Sequence, residues 1–277
     1  MYTYGADPEI FISNNGEFIS AHTFSSGTKQ HPEKVNHGAI QVDGMALEFN
    51  IDPASNQEEF VNNIKVVMAT LKERIGDCEF MQDCTVDFDM DFFKQIPAVN
   101  RALGCSTDSN AWTLENNPKP DSTKLMRTVG GHVHIGGFGM GPDYNWEYFE
   151  KCANIARLMD KTVGVYSVLW DKDKERRKMY GKAGSFRAKP YGVEYRTLSN
   201  KWLFNEDLVK FVFDGAREAM EYYDNGNVEV KDFSREIIDN SYGDSSIYTS
   251  DSCFYDFGGA YAVNKKKQVE EMVFYAS

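Results

Sequence analysis

Four short segments alternate apolar residues with ionisable ones, and this alternation constrains the fold more than any other feature of the chain. They are Gly5-Ala-Asp7-Pro-Glu9-Ile-Phe, Asp43-Gly-Met-Ala-Leu-Glu48-Phe-Asn50-Ile, Gly130-Gly-His132-Val-His134-Ile-Gly-Gly137 and Val193-Glu194-Tyr-Arg196-Thr-Leu198. Residues two apart on a strand share a face. Asp7 therefore sits with Glu9, Glu48 with Asn50, His132 with His134, and Glu194 with Arg196. Leu47, Phe49 and Ile51 turn the other way. If one sheet holds these strands, carboxylates and imidazoles converge on one face, and they repel one another unless cations occupy the site. Oxygen ligands with few histidines and no cysteine favour Mg²⁺ or Mn²⁺ over Zn²⁺. A magnesium ion held by several carboxylates completes its shell with phosphate oxygens, which points to a nucleotide.

The most basic stretch agrees with that reading. Arg176, Arg177, Lys182, Arg187 and Lys189 crowd into fourteen residues just before Glu194, in a chain of net charge −12. Such a cluster forms a clamp for phosphate or carboxylate groups, and glycines at 181, 184 and 192 allow close backbone approach. Each signal also has a plainer reading. Two solvated histidines on a strand explain HxH, and the arginines can face Glu175, Asp171 and Asp173 in a solvated loop. Glu48 is harder to explain away, because a lone carboxylate within Ala-Leu-Glu-Phe-Asn-Ile is costly to bury. His22, His31 and His37 read as loop residues. No Walker-type loop or Rossmann fingerprint occurs, so a nucleotide must be held another way.

The rest of the pattern predicts an α+β fold with a mostly antiparallel sheet. A hairpin is expected at Pro8–Ser13 and Glu17–Ser20, a loop over 21–38 and a strand over Ile40–Ile51. Ser55 and Glu58 form a capping box before Phe60, Ile64, Val67, Met68, Leu71 and Ile75, which recur at helical spacing until Gly76. Further helices follow Trp146 and Asn205, and 239–260 reads as irregular. A 42% hydrophobic content excludes general disorder. The acidic charge argues against direct nucleic-acid binding. No apolar run suits a membrane helix, and the N-terminus lacks a signal-peptide pattern, so a cytoplasmic protein of one domain over 1–277 is expected. The five cysteines, among them Cys105 and Cys152, show neither a disulfide framework nor a zinc knuckle.

Together with Gly104-Cys-Ser-Thr-Asp108, Tyr180-Gly-Lys-Ala-Gly-Ser-Phe-Arg187 and Gly192-Val-Glu-Tyr-Arg196-Thr-Leu-Ser-Asn200, the four segments resemble the glutamine synthetase–like carboxylate–amine ligases. The phage phiEco32-like COOH–NH2 ligase type 2 group is the nearest resemblance. The motifs run in family order over residues 5–202, and 225–277 carry none. The resemblance implies a curved, mostly antiparallel sheet with helices on its convex side, binding ATP and two or three Mg²⁺ (or Mn²⁺) on its concave face. It places Glu9, Glu48, His132 and Glu194 as metal ligands, with Asp7 standing where Glu is usual. His134 falls beside the nucleotide or substrate. Arg187 and Arg196 fall at the transferring phosphate, with Glu194 beside them. Because the first matching strand begins at residue 5, no counterpart of the glutamine synthetase N-terminal domain is expected.

The implied activity joins a small-molecule or peptide carboxylate to an amine through an acyl phosphate, in the host cytoplasm for a phage-encoded chain. The residues leave other chemistries open: a guanidino-type kinase, a hydrolase or oxygenase using the HxH pair, or a nucleotide-binding module without turnover.

Overall fold

The computed structural model describes residues 1–101, 107–121, 123–139, 145–240 and 245–275, so Cys105 lies outside the described residues. The strands are β1 Thr3–Ile10, β2 Ile12–Asn14, β3 Glu17–Ile19, β4 Glu33–Val35, β5 Gly38–Asp43, β6 Ala46–Ile51, β7 Glu79–Phe80, β8 Thr85–Val86, β9 Ser109–Asn110, β10 Arg127–Thr128, β11 Gly131–Gly136, β12 Ser185–Lys189 and β13 Gly192–Tyr195. Eight of them form one sheet in the order β4-β5-β6-β1-β11-β13-β12-β9, and every pairing within it is antiparallel. The protein is α+β, as expected.

Two expectations change in the N-terminal half. The single strand read over Ile40–Ile51 is a hairpin, because Gly44 adopts φ 59° and reverses the chain between β5 and β6. The span 21–38 contains the edge strand β4 as well as loop. The first hairpin is present as β2 and β3, turning at Asn15-Gly16, while β1 begins earlier, at Thr3.

Helices cover the apolar face. The helix Gln57–Ile75 starts one residue later than the capping box predicts. Asn56 is the cap, accepting from the Glu59 N–H, and the Glu59 carboxylate reaches back to the Ser55 N–H at 2.7 Å. Phe60, Ile64, Val67, Leu71 and Ile75 are buried along one stripe. Trp146–Met159 and Glu206–Asp224 are capped by Asn145 and Asn205. The residues read as irregular are mostly helical where described, in Phe233–Asn240, Ser245–Tyr248 and Asp251–Tyr275, the last kinked at Gly258 and Gly259. Phe254, Phe257 and Val269 from that segment join the main core. Their sparse apolar spacing hides the helix, in which Phe254 packs on Tyr166 and edge-on against Phe257. No described helix is long and apolar enough to cross a membrane.

One buried acid ties the sheet to these helices. After Met159 the helix widens into a π turn over Asp160–Gly164. Asp160 is fully buried and accepts from Tyr195 Oη at 2.6 Å and Trp112 Nε1 at 2.7 Å. Burial pushes its carboxyl up to about 7 despite those donors. Asp160→Ala should therefore cost about 2–6 kcal/mol in denaturant melts, at about 1–3 kcal/mol for each orphaned donor. Native Asp160 keeps a proton that the unfolded chain releases near 3.8, so its stabilising contribution is lost as pH rises towards about 7. Asp160→Asn should flatten that part of the stability–pH curve.

Candidate active site

Register brings the ionisable residues into cross-strand rows. Glu9 on β1 lies opposite Glu48 on β6, and Glu48 lies opposite Gln41 on β5. Asp7 lies opposite His132, and His134 opposite Glu194, which in turn faces Arg187. Residues directly opposite on antiparallel strands point the same way. A cavity of about 500 Å³ lies over this face, lined by Asp7, Glu9, Asp43, Glu48, His132, His134, Arg187, Lys189, Glu194 and Arg196.

The carboxylates fall into two groups. Glu9, Asp43 and Glu48 offer oxygen atoms within 4.8 Å of one another, and Asp7, His134 and Glu194 offer ligand atoms within the same limit. In the first group, burial together with the charges of Asp7, Glu9 and Asp43 raises the Glu48 carboxyl well above its ordinary range. Burial also raises Glu9. One buried oxygen of Glu48 has no hydrogen-bond partner among the described residues. Acids so placed fit a hard divalent cation, which would supply the missing positive charge. In the second group, burial opposes charge on Asp7, but the imidazoles of His134 and His132 outweigh it and hold the carboxyl well below its usual range. His134 Nε2 lies 2.8 Å from Asp7 Oδ1, and its Nδ1 lies 2.6 Å from Tyr191 Oη.

His132 stands between the groups. Its Nδ1 lies 3.3 Å from Asp7 Oδ1 and 3.1 Å from Arg196 Nη1. Gly130 makes room for the ring, since a Cβ there would sit 2.2 Å from His132 Nε2.

Cations line the other side of the cavity. Lys189 Nζ is 2.5 Å from Glu194 Oε2, and Arg196 pairs with Glu194 and lies 2.8 Å from Asp108 through Nε. Arg187 lies 3.1 Å from Asp108. Burial and Asp7 work against charge on Glu194, yet Arg196 and the two histidines bring it down to about 2.

Of the residues singled out from sequence, Asp7, Glu9, Glu48, His132, His134, Arg187, Glu194 and Arg196 meet at this cavity. Three basic residues do not join them there. Arg176 donates to the carbonyls of Val129, Thr197 and Leu198, so its guanidinium binds backbone rather than standing ready as a phosphate clamp. Arg177 is buried against Ser167 and Asp171. Lys182 lines a separate recess with Lys119, Lys124, Lys178 and Tyr180.

The structure adds Asp43 and Asp108 to the site and brings Lys189 of the basic stretch into it. Asp43 and Glu48 are an odd number of positions apart and would oppose one another on a single strand. Only the turn at Gly44 puts them on one face, and the Asp-Gly pair was its signal. Lys189 was legible by its two-residue spacing from Arg187.

Residues 121–248 match the phage phiEco32-like COOH.NH2 ligase-type 2 family. That span holds His132, His134, Arg187, Lys189, Glu194 and Arg196, whereas Asp7, Glu9, Asp43, Glu48 and Asp108 precede it. No curated protein matches the chain. Among solved structures, a bifunctional glutathione synthetase from Pasteurella multocida aligns with 99% of this chain at TM-score 0.42 and 10% identity. The alignment spans 47% of that protein, so this chain covers about half its length.

Glu48→Gln tests the acid cluster without nucleotide. It makes permanent the neutral form of one of three crowded acids while keeping shape, so the metal-free variant should melt no lower than the wild type. The Mg²⁺-induced rise in melting temperature should fall at least tenfold in apparent affinity. A proton on Glu48 competes with the metal, so wild-type Mg²⁺ affinity should strengthen as pH rises, and the variant should show a flatter dependence.

Proposed function

We propose that the protein is an ATP- and Mg²⁺-dependent carboxylate–amine ligase with a glutamine synthetase–like catalytic sheet. The observation that carries this reading is the division of one cavity into two acidic groups, Glu9/Asp43/Glu48 and Asp7/His134/Glu194, faced by Arg187, Lys189 and Arg196. The family match over 121–248 points the same way. Bound Mg²⁺ would offset the negative charge of the nucleotide phosphates during transfer.

The chain's own residues then have distinct tasks. Glu9, Asp43 and Glu48 would hold one cation, and Asp7, His134 and Glu194 a second, with His132 oriented by Asp7 and Arg196. Arg187 and Arg196 engage the transferring phosphoryl oxygens, and a planar guanidinium can bind two of them at once. A substrate carboxylate oxygen attacks the γ-phosphorus, the bond to the leaving ADP breaks, and an acyl phosphate forms. The amine nitrogen then attacks the acyl carbon. Amide forms, inorganic phosphate departs with the bonding electrons, and the amine loses a proton. Asp108 fixes both arginines from behind, at 2.8 and 3.1 Å.

A guanidino kinase would need only one acceptor, so phosphate release that requires an acid and an amine together separates the two readings. Arg196→Lys keeps the charge but loses the planar fork. It should bind Mg·ATP within a few-fold of the wild type and release phosphate roughly 100-fold more slowly, the scale of losing one preorganised donor. Turnover near the wild-type rate would reduce Arg196 to a structural partner of Glu194 and Asp108.

A further inference from the structure

Behind the carboxylates lies a smaller compartment of about 60 Å³. It shares Glu9, Asp43, His132 and Arg196 with the main cavity. Its apolar lining comes from Phe11, Met45, Ala46 and Val129, and Arg127, Arg176 and Tyr180 also line it, Arg176 with its guanidinium spent on three backbone carbonyls. The volume holds about four water-sized groups, or one small polar group on a short stem.

Arg127 is the unusual member. It is only 7% exposed, with its guanidinium 4.7 Å from the Phe93 ring. Two of its nitrogens donate to the carbonyls of Lys124, Met126 and Arg101, while Nε has no partner among the described residues. No described carboxylate pairs with it, and burial alone lowers its proton affinity, opposed only by Tyr180. A buried cation without a counter-ion is costly. By contrast, Arg187 and Arg196 both have Asp108 and Glu194.

The approach to Arg127 is also cationic. Asp108 and Tyr180 line both this compartment and the recess that carries Lys119, Lys124, Lys178 and Lys182. Asp108 and Asp121 also line that recess and Lys178 pairs with Glu175, so the lysines leave a small positive excess that attracts an anion locally.

We propose that Arg127 anchors a ligand subsite that takes a carboxylate on a short apolar stem, seated in the compartment behind Glu9 and His132. A singly charged carboxylate suits it better than phosphate, because Glu9, Asp43 and Asp108 line the same space and repel a second negative charge. Calling that ligand a substrate rests on the ligase reading; the subsite itself does not.

The test compares melting temperatures of the wild type, Arg127→Met and Arg127→Lys. The probes are acetate, succinate, glutarate and inorganic phosphate at constant ionic strength, with Mg·ATP as a separate arm. Succinate or glutarate should raise the wild-type value saturably. Arg127→Met, which keeps the stem over Phe93, should bind it at least tenfold more weakly and should keep its Mg·ATP response. Arg127→Lys should fall between the two and decides the matter if the Met variant does not fold, with a loss of at least threefold expected. Equal carboxylate binding by the folded variants would overturn the subsite. So would a wild type that responds to no carboxylate, or to phosphate alone. A wild type that binds carboxylate through Arg127 but ignores Mg·ATP would sink the ligase reading and leave the subsite standing.

Discussion

Glu9 faces Glu48 across two paired strands, and the arrangement of the site follows from that juxtaposition. Like charges directly opposite one another weaken a sheet. Asp43 adds a third carboxylate within 4.8 Å; Lys29 lies 2.6 Å from Asp43, and the Gly130 N–H donates to Glu9 at 2.8 Å. The protein accommodates the conflict by burying Glu48 so deeply that its carboxyl holds a proton far above its usual range. Such a site is primed to exchange a proton for a cation, and the sheet tolerates it because the opposite face is well packed. Leu47 and Phe49 of the same strand are fully buried against the helix Gln57–Ile75.

Charge also divides the cavity. On one side the acids outnumber their partners. On the other, Glu194 is held by Lys189 and Arg196, and Asp108 by Arg187 and Arg196. A ligand with a cationic end and an anionic end can lie across this face in one direction only. That polarity suits metal-bound phosphates, with their metals over the acids and their oxygens towards the arginines. The aligned acids alone would equally suit a simple metal-binding protein, so the cationic row is what makes the transfer reading specific.

Much of this was legible in sequence because strand periodicity is strict. The alternation of Asp7 with Glu9 and of His132 with His134 sorts faces correctly without any tertiary information. Helices with a continuous stripe, such as Phe60 to Ile75, were equally clear. What failed was local geometry that depends on a single residue. Gly44 reverses a run that reads as one strand, and with it the parity of Asp43. The arginines failed for a different reason. Charge density in sequence does not reveal which guanidiniums bind backbone carbonyls, and Arg176 binds three. Arg127 stands isolated in the chain, so its burial emerges only from packing around Phe93 and Met126.

The most direct measurement is diffraction from crystals grown with Mn²⁺ and a non-hydrolysable ATP analogue, using the anomalous signal of manganese to place the ions. The account predicts one Mn²⁺ peak among Glu9, Asp43 and Glu48 and another among Asp7, His134 and Glu194, with the phosphates between them and Arg187 and Arg196. Manganese peaks elsewhere, or an analogue bound away from this face, would contradict it.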